Sequence, residues 1–323
     1  MSEKTIRIAT RKSQLALTQT GQVADLLRRR NPHMRFELVT VQTLGDRDTV
    51  KPLSQFRGMG VFVKELEELL LNGSADLAVH SLKDVPAEVA PGLLLASFPT
   101  RADPADVLLT RGEYSLSNLP RNARLGTSSP RRSIQLRAVR PDLEYCELRG
   151  NLDTRIRKLN NGDYDAIVVA AAGMIRLGIP FDRNAVLPFD VCLPAIGQGA
   201  LVIECRDGDA DALITARSVN DPVTEKAVRA ERILMKTVGA SCSVPVAALA
   251  RITHQTMTLQ AMAGDPATGS LVGLCITASI EESERAAIML GERLLDTCAQ
   301  KGIVIGPAES SRLPSDSTGN ITS

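Results

Sequence analysis

The chain repeats one local pattern in its two halves: a strand-like apolar run, a short basic turn, then a helix-like run. In the first half, residues 6–9 lead through Thr10-Arg11-Lys12-Ser13 into a helix predicted over 13–30, with Leu15, Val23, Leu26 and Leu27 near helical spacing. In the second, a strand near Leu125 leads through Thr127-Ser128-Ser129-Pro130-Arg131-Arg132 into a helix predicted over 130–139. Arg11-Lys12-Ser13 and Arg131-Arg132-Ser133 therefore sit at matching places. Strands and helices alternating in this way build parallel sheets, whose ligands collect beyond the carboxyl ends of the strands. The expected fold class is α/β, with two such units facing each other across a cleft.

Further along, strands are predicted at 36–43, 75–80, 93–98, 145–148 and 166–170, and helices at 61–71 and 152–160. Residues 45–60 interrupt the pattern with a polar, glycine-bearing stretch whose length suggests either a flap or a solvated connector. Arg101-Ala102-Asp103-Pro104 reads as a crossover into the second unit, and residues 193–199 as a return toward the first, ahead of a strand at 200–205. Asp221 as N-cap with Pro222 behind it starts another helix. Three β-rich runs at 243–252, 257–263 and 271–280 and a helix at 282–301 then make a small α+β unit. The predicted domains are 1–100 with 198–218, 101–197, and 219–305, with 306–323 a disordered tail.

With 323 residues and 44% hydrophobic content, the chain can bury a large core. A net charge of +1 and 3% aromatics argue against a nucleic-acid binder, which needs a broad basic surface and stacking platforms. Six irregularly spaced cysteines without a C-x-x-C pair and only three histidines leave little material for a zinc site or a Ser-His-Asp triad. No metal is expected. The N-terminus has no signal-peptide pattern, and the longest apolar run is too short to span a bilayer, so a cytoplasmic location is expected.

The basic residues are local. Unpaired N–H groups and the positive dipole end at helix starts favour an anion, and arginine forks bind carboxylate or phosphate bidentately. Ser129 and Pro130 have a structural account as cap and first helical residue, whereas Arg131 and Arg132 oppose the dipole and call for an anion. Arg149, Arg155 and Arg157 flank a loop and a helix start, with a solvated face accounting for Arg157; Arg176 suits either a helix C-terminus or a ligand. Lys83-Asp84 follows a buried strand; the aspartate is suited to stabilising positive charge or moving a proton, and equally to forming a turn before Val85-Pro86. His80 reads as a packed core histidine. Cys242, in a small-residue turn, is open to covalent attachment; the other five cysteines read as small core residues.

In order along the chain, ATRKSQLAL, VFVKELE, AVHSLKDVP, GTSSPRRSIQL, LRGNLDTR, YDAIVVAAAG, LPAIGQGA and the AER helix before Cys242 resemble porphobilinogen deaminases, also called hydroxymethylbilane synthases. The resemblance covers residues 6–303 and implies two periplasmic-binding-protein-like (type II) α/β domains plus a small α+β third domain. It implies a monomeric transferase of haem biosynthesis that joins four porphobilinogens head to tail, losing ammonia each time, and releases linear hydroxymethylbilane by hydrolysis. A dipyrromethane cofactor would be bound as a thioether to Cys242, with Asp84 catalytic. Lys83, Asp84, Ser129, Arg131 and Arg132 match cofactor-binding positions, and Arg11, Ser13, Thr127, Arg149, Arg155, Arg176 and Gln198 substrate-binding ones. Arg232 also matches a family arginine. A growing hexapyrrole would carry about a dozen carboxylates, more than a single arginine serves.

Four positions, in three segments, depart from the family pattern. Ala240-Ser241 replace Gly-Gly before Cys242, Met59 stands where a flap lysine is usual, with Arg57 nearby, and Pro130 replaces a leucine. Rival readings are a non-catalytic two-lobed binder of a small carboxylate, for which neither a signal peptide nor a helix-turn-helix module is visible, and a phosphate-handling transferase, which does not account for Cys242 or the third domain.

Overall fold

Buried strands that end in polar turns set the framework of the computed structural model, which describes residues 4–41, 63–239 and 245–305. β1 (Lys4–Arg11) buries Ile6, Ile8 and Ala9 and breaks at Ser13, whose hydroxyl accepts the Ala16 N–H and caps α1 (Gln14–Arg30). That helix lays Val23, Ala24 and Leu27 against the sheet and returns the chain to β2 (Met34–Val41), parallel to β1. After α2 (Lys64–Leu71), β3 (Leu77–Ser81) pairs parallel with β1 and runs into a single 3-10 turn, Leu82–Asp84. β4 (Leu93–Ser97) follows.

The chain then crosses to β5 (Asp106–Thr110), β6 (Arg124–Gly126), α3 (Pro130–Val139), β7 (Glu144–Cys146), α4 (Leu152–Asn160), β8 (Ala166–Ala170) and α5 (Ala171–Arg176). It returns as β9 (Leu201–Arg206) and α6 (Ala210–Arg217), then leaves through α7 (Pro222–Thr237) for β10 (Val246–Thr253), β11 (Thr256–Asp265), β12 (Ser270–Ser279) and α8 (Ser283–Gln300). The predicted caps of α3 and α7 form: Ser129 accepts from Arg132 N–H and Asp221 from Thr224 N–H, each followed by proline. No helix among the described residues is long and apolar enough to cross a membrane.

The first sheet has the order β2-β1-β3-β9-β4 and the second β7-β6-β8-β5. In each, three parallel strands are flanked by one antiparallel strand supplied by the crossing segment, β9 in the first and β5 in the second. The two lobes thus share a four-stranded topological core, of the type II periplasmic-binding-protein-like kind, to which the first adds β4 beyond β9, and a third, antiparallel sheet β10-β11-β12 with α7 and α8 forms the α+β unit. One face of that sheet, through Ala247, Leu249 and Met262, packs on Ile134 of α3 and Leu193.

β5 and α6 have no counterpart in the sequence reading. The apolar stretch of β5 is three residues, opened by the charged Asp106, too short for periodicity to register. In α6 the stripe is blurred by Ile214, 70% exposed, although Asp209 caps the helix at Ala212 N–H. Cys192, Cys205 and Cys298 are buried as expected, but Cys146 is half-buried and Cys275 exposed. Cys275 falls on the outward side of the β12 alternation, which corrects its reading as a core residue. His80 is buried as expected and sits with Nε2 at 3.0 Å from Glu204 Oε2.

The two crossovers meet backbone to backbone. Ala102 N–H donates to Gly199 O at 3.1 Å, and Gly199, with φ of +84°, has no room for a Cβ against the Ala102 carbonyl. Beside this crossing, the fully buried Glu231 of α7 accepts both Arg101 guanidinium nitrogens at 2.6 and 3.2 Å, the Gly197 N–H at 2.7 Å and the Ala250 N–H at 2.9 Å. One carboxylate therefore joins both crossovers to the third sheet. Removing one partner of a buried pair leaves an uncompensated charge. Glu231→Ala is expected to lower the unfolding free energy by about 3–5 kcal/mol, read as a fall in the urea midpoint.

Candidate active site

The carboxyl ends of β1, β3, β6, β7 and β8 all open on one cavity of about 620 Å³ between the two lobes. Arg11 and Ser13 enter it at the start of α1; Lys83 and Asp84 from the turn after β3; Arg132 from the first turn of α3; Arg149, Arg155 and Lys158 around α4; and Arg176 from the end of α5. Asp84 is the one acidic side chain among its described lining residues, facing seven cationic ones.

The expected arginine pair divides in two. Arg131 and Arg132 both clasp Asp106, the buried first residue of β5, at 2.8 and 2.6 Å. The anion that the first turn of α3 requires is thus supplied by the protein. Arg131 also donates to Leu193 O at 2.7 Å and does not line the cavity, whereas Arg132 does. Burial raises the Cys192 thiol to about 12, with Asp106 adding to the shift; the thiol donates to Asp106 at 3.4 Å. The two arginines and Gln198 instead hold the Asp106 carboxyl far below the usual carboxylate range, against the cost of burial.

Thr127, Ser129 and Gln198 lie behind the lining. The Thr127 hydroxyl accepts the Ser129 N–H at 3.2 Å, and Ser129 spends its own oxygen on the cap of α3. Gln198, 1% exposed, donates through Nε2 to Pro104 O and Asp106 Oδ1, each at 2.8 Å, and its Oε1 accepts from Lys83 Nζ at 3.4 Å. A hydrogen-bonded line therefore runs from Arg132 through Asp106 and Gln198 to Lys83 beside Asp84. Asp106 and Gln198 carry this floor, yet sequence alone gave no signal for Asp106 beyond a charge at the head of a short apolar run. Ser128, also on the lining, staples the α3 turn to the α4 loop by accepting the Leu148 N–H at 2.9 Å and donating to Leu148 O at 2.7 Å.

Arg232 of α7 stands outside the cavity and donates to the carbonyls of Val85, Pro86 and Ala87, the nearest at 2.7 Å, fixing the chain just past Asp84. Cys242, Arg57, Met59, the 45–60 stretch, Ala240-Ser241 and the tail from 306 lie outside the described residues.

The cavity suits a ligand with several carboxylates. Arg132 Nε is buried without a hydrogen-bond partner. Arg155 and Arg176 donate only to the carbonyls of Gly150 and Gly199 and pair with no carboxylate among the described residues. Burial lowers both guanidinium groups to about 10, helped for Arg155 by the nearby Arg132, so they stay charged and are relieved by an incoming anion. Arg149 already pairs with Glu147 at 2.6 Å.

The family model for the porphobilinogen deaminase dipyromethane cofactor binding domain matches residues 6–214, and the model for the porphobilinogen deaminase C-terminal domain matches 226–296. The chain belongs to the porphobilinogen deaminase family. Among curated porphobilinogen deaminases, that of Syntrophotalea carbinolica is 44% identical over 91% of this chain and 94% of its own. That of Geobacter metallireducens is 45% identical over 91% and 92%, and that of Brevibacillus brevis 46% identical over 80% and 84%. In the terms of this porphobilinogen deaminase family, the cofactor domain model spans both lobes and hence every described residue of the cavity.

Lys83 gives the site a pH dependence. Burial is the largest cause lowering its ammonium to about 8; Arg132 and Arg131 add to it, while Asp84 and Asp106 oppose it. Below about 8 the lysine is charged and ready to hold a carboxylate; as pH rises through 8 that charge is lost. A bound carboxylate restores the charge, so binding near pH 8 takes up protons. Isothermal titration of a pyrrole dicarboxylate in buffers of different ionisation enthalpy should show that uptake and a falling affinity from pH 7 to 9. Lys83→Arg, which stays charged, should abolish both; retention of the uptake in that variant would contradict the assignment.

Proposed function

We propose that this chain is a hydroxymethylbilane synthase, condensing four porphobilinogens head to tail with loss of ammonia and releasing linear hydroxymethylbilane for haem and other tetrapyrroles. The observation that carries this reading is Asp84, the single carboxylate among the described lining residues of a cavity they otherwise ring with cations, inside the segment matched by the cofactor-binding family model. Membership of the family favours the enzyme over a non-catalytic two-lobed binder. We further propose that the chain works as a cytoplasmic monomer and divides into domains 1–100 with 198–218, 101–197 and 219–305, a division supported by the two crossovers and the separate third core.

A dipyrromethane in thioether linkage to Cys242 supplies the free α-carbon from which the product grows. Lys83, Arg132 and Asp84 would hold that group, with Arg131 and Ser129 acting from behind through Asp106 and the cap of α3. Arg11, Ser13, Arg149, Arg155 and Arg176 would take the acetate and propionate groups of porphobilinogen and its products, with Thr127 and Gln198 supporting the floor.

When the aminomethyl nitrogen of porphobilinogen, protonated as an ammonium, leaves as ammonia, its C–N bond electrons go with it and the positive charge passes to the remaining pyrrole. The positive charge spreads onto the ring N–H, where a carboxylate oxygen of Asp84 lowers the energy of the charged state. The same oxygen can accept the ring proton while the cation lasts and return it afterwards, or take the proton that the attacked carbon sheds. The arginines act before and after this step: they fix the ring by its carboxylates and keep the charged chain in the cleft. Arg232, by holding the carbonyls of residues 85–87, keeps the Asp84 turn from swinging as charge develops.

Two measurements test the reading. Intact mass of protein made with porphobilinogen present should exceed the bare chain by two pyrrole units, and Cys242→Ser should weigh the bare chain; an unadorned wild-type mass sinks the covalent assignment. Asp84→Ala should lose roughly 10²–10³-fold in turnover per loaded chain. Near-normal turnover would remove Asp84 from the chemistry.

A further inference from the structure

α4 carries a cation that neither the sequence pattern nor the family resemblance singled out. Asn151, Thr154, Arg155 and Lys158 recur at helical spacing, and all four line the cavity. Lys158 is in the last turn, where the helix dipole alone accommodates a lysine, and a solvated lysine would be the ordinary outcome. Its contacts are different. Lys158 Nζ turns back to donate to Arg149 O at 3.3 Å, just as Arg155 Nε turns to Gly150 O at 2.7 Å. Both cations are thereby drawn over the 149–150 loop at the mouth of the cavity.

No carboxylate among the described residues pairs with Lys158; Asp153, five residues before it on the same helix, and Asp163, just beyond the helix, are not its partners. Two like charges three residues apart on a helix repel each other unless an anion lies between them. Lys158 lies ~4.5 Å further along the α4 axis than Arg155, so the two ammonium and guanidinium groups offer successive anion positions along one edge of the cleft.

We propose that Lys158 is a further carboxylate-binding residue, taking an acetate or propionate group of the growing pyrrole chain beyond the one held by Arg155. The inference rests on the hydroxymethylbilane synthase reading for its ligand, and on the geometry of α4 for its residue. Because the residue is on a half-exposed helix face, its substitution leaves the core intact.

The test uses the full chain carrying its primer, as wild type, Lys158→Gln and Lys158→Arg. With limiting porphobilinogen, intact mass resolves the primer and its successive one-pyrrole additions. Lys158→Gln should load primer like wild type but accumulate one elongation state at least about threefold, corresponding to loss of part of a charge-assisted hydrogen bond, and Lys158→Arg should restore the wild-type ladder. Separately, isothermal titration with a pyrrole bearing one acetate and one propionate but no aminomethyl group should show about five- to tenfold weaker binding to Lys158→Gln. Ladder proportions or an affinity unchanged from wild type overturn the proposal. A wild-type chain without primer mass would instead count against the functional reading, and the titration then decides the role of Lys158 by itself.

Discussion

Everything at the floor of the cleft depends on one buried carboxylate, Asp106. A charge removed from water is tolerated only when paired and fully hydrogen-bonded, and Asp106 receives Arg131, Arg132, the Gln198 amide and the Cys192 thiol. Because Asp106 and Pro104 O can only accept, the Gln198 Nε2 must face them and its Oε1 must face Lys83. The second lobe, the returning crossover and the Lys83-Asp84 turn of the first lobe are thus oriented by a single anion. With Asp106 already serving Arg131 and Arg132, ligand carboxylates are left to the unpartnered Nε of Arg132 and to the cations further round the rim.

The third unit contributes through two adjacent residues of α7. Glu231 points toward the crossovers and Arg232 toward the carbonyls that follow Asp84. Neighbours on a helix point about 100° apart, so one rigid rod ties the junction between lobes and the chain just past Asp84 to the same body. α7 ends at Thr237, with Gly239 just beyond its C-cap, and Cys242 follows five residues after Thr237 in sequence.

Local physics was the legible part of this chain. Ser13, Ser129 and Asp221 cap helices because a short polar side chain before an apolar stripe has few alternatives, and the bounds of α3 and α4 follow the predicted ones. The alternation of strands and helices also disclosed the α/β class. What could not be read were the long-range partners. Arg131 and Arg132 are adjacent and chemically identical in sequence and both pair with an aspartate on a strand too short to recognise, yet only Arg132 reaches the cavity, while Arg131 also donates to Leu193 O. Gln198 likewise looks like a ligand residue until Pro104 and Asp106 are brought beside it. Lys158 has no sequence signal, because a lysine in a last helical turn is ordinary until its ammonium is seen over the cavity.

The outward side of β12 has a practical consequence for anyone following cofactor attachment by thiol chemistry. Cys192, Cys205 and Cys298 are buried, and burial raises the thiols of all three, which makes them slow to react. Cys275 is exposed, so a thiol reagent applied to native protein will report it whether or not Cys242 is occupied. A titration that finds one reactive thiol is compatible with a fully loaded chain. The useful quantity is the signal in a background lacking both Cys275 and the half-buried Cys146, where a remaining reactive thiol reports cofactor-free protein far more directly.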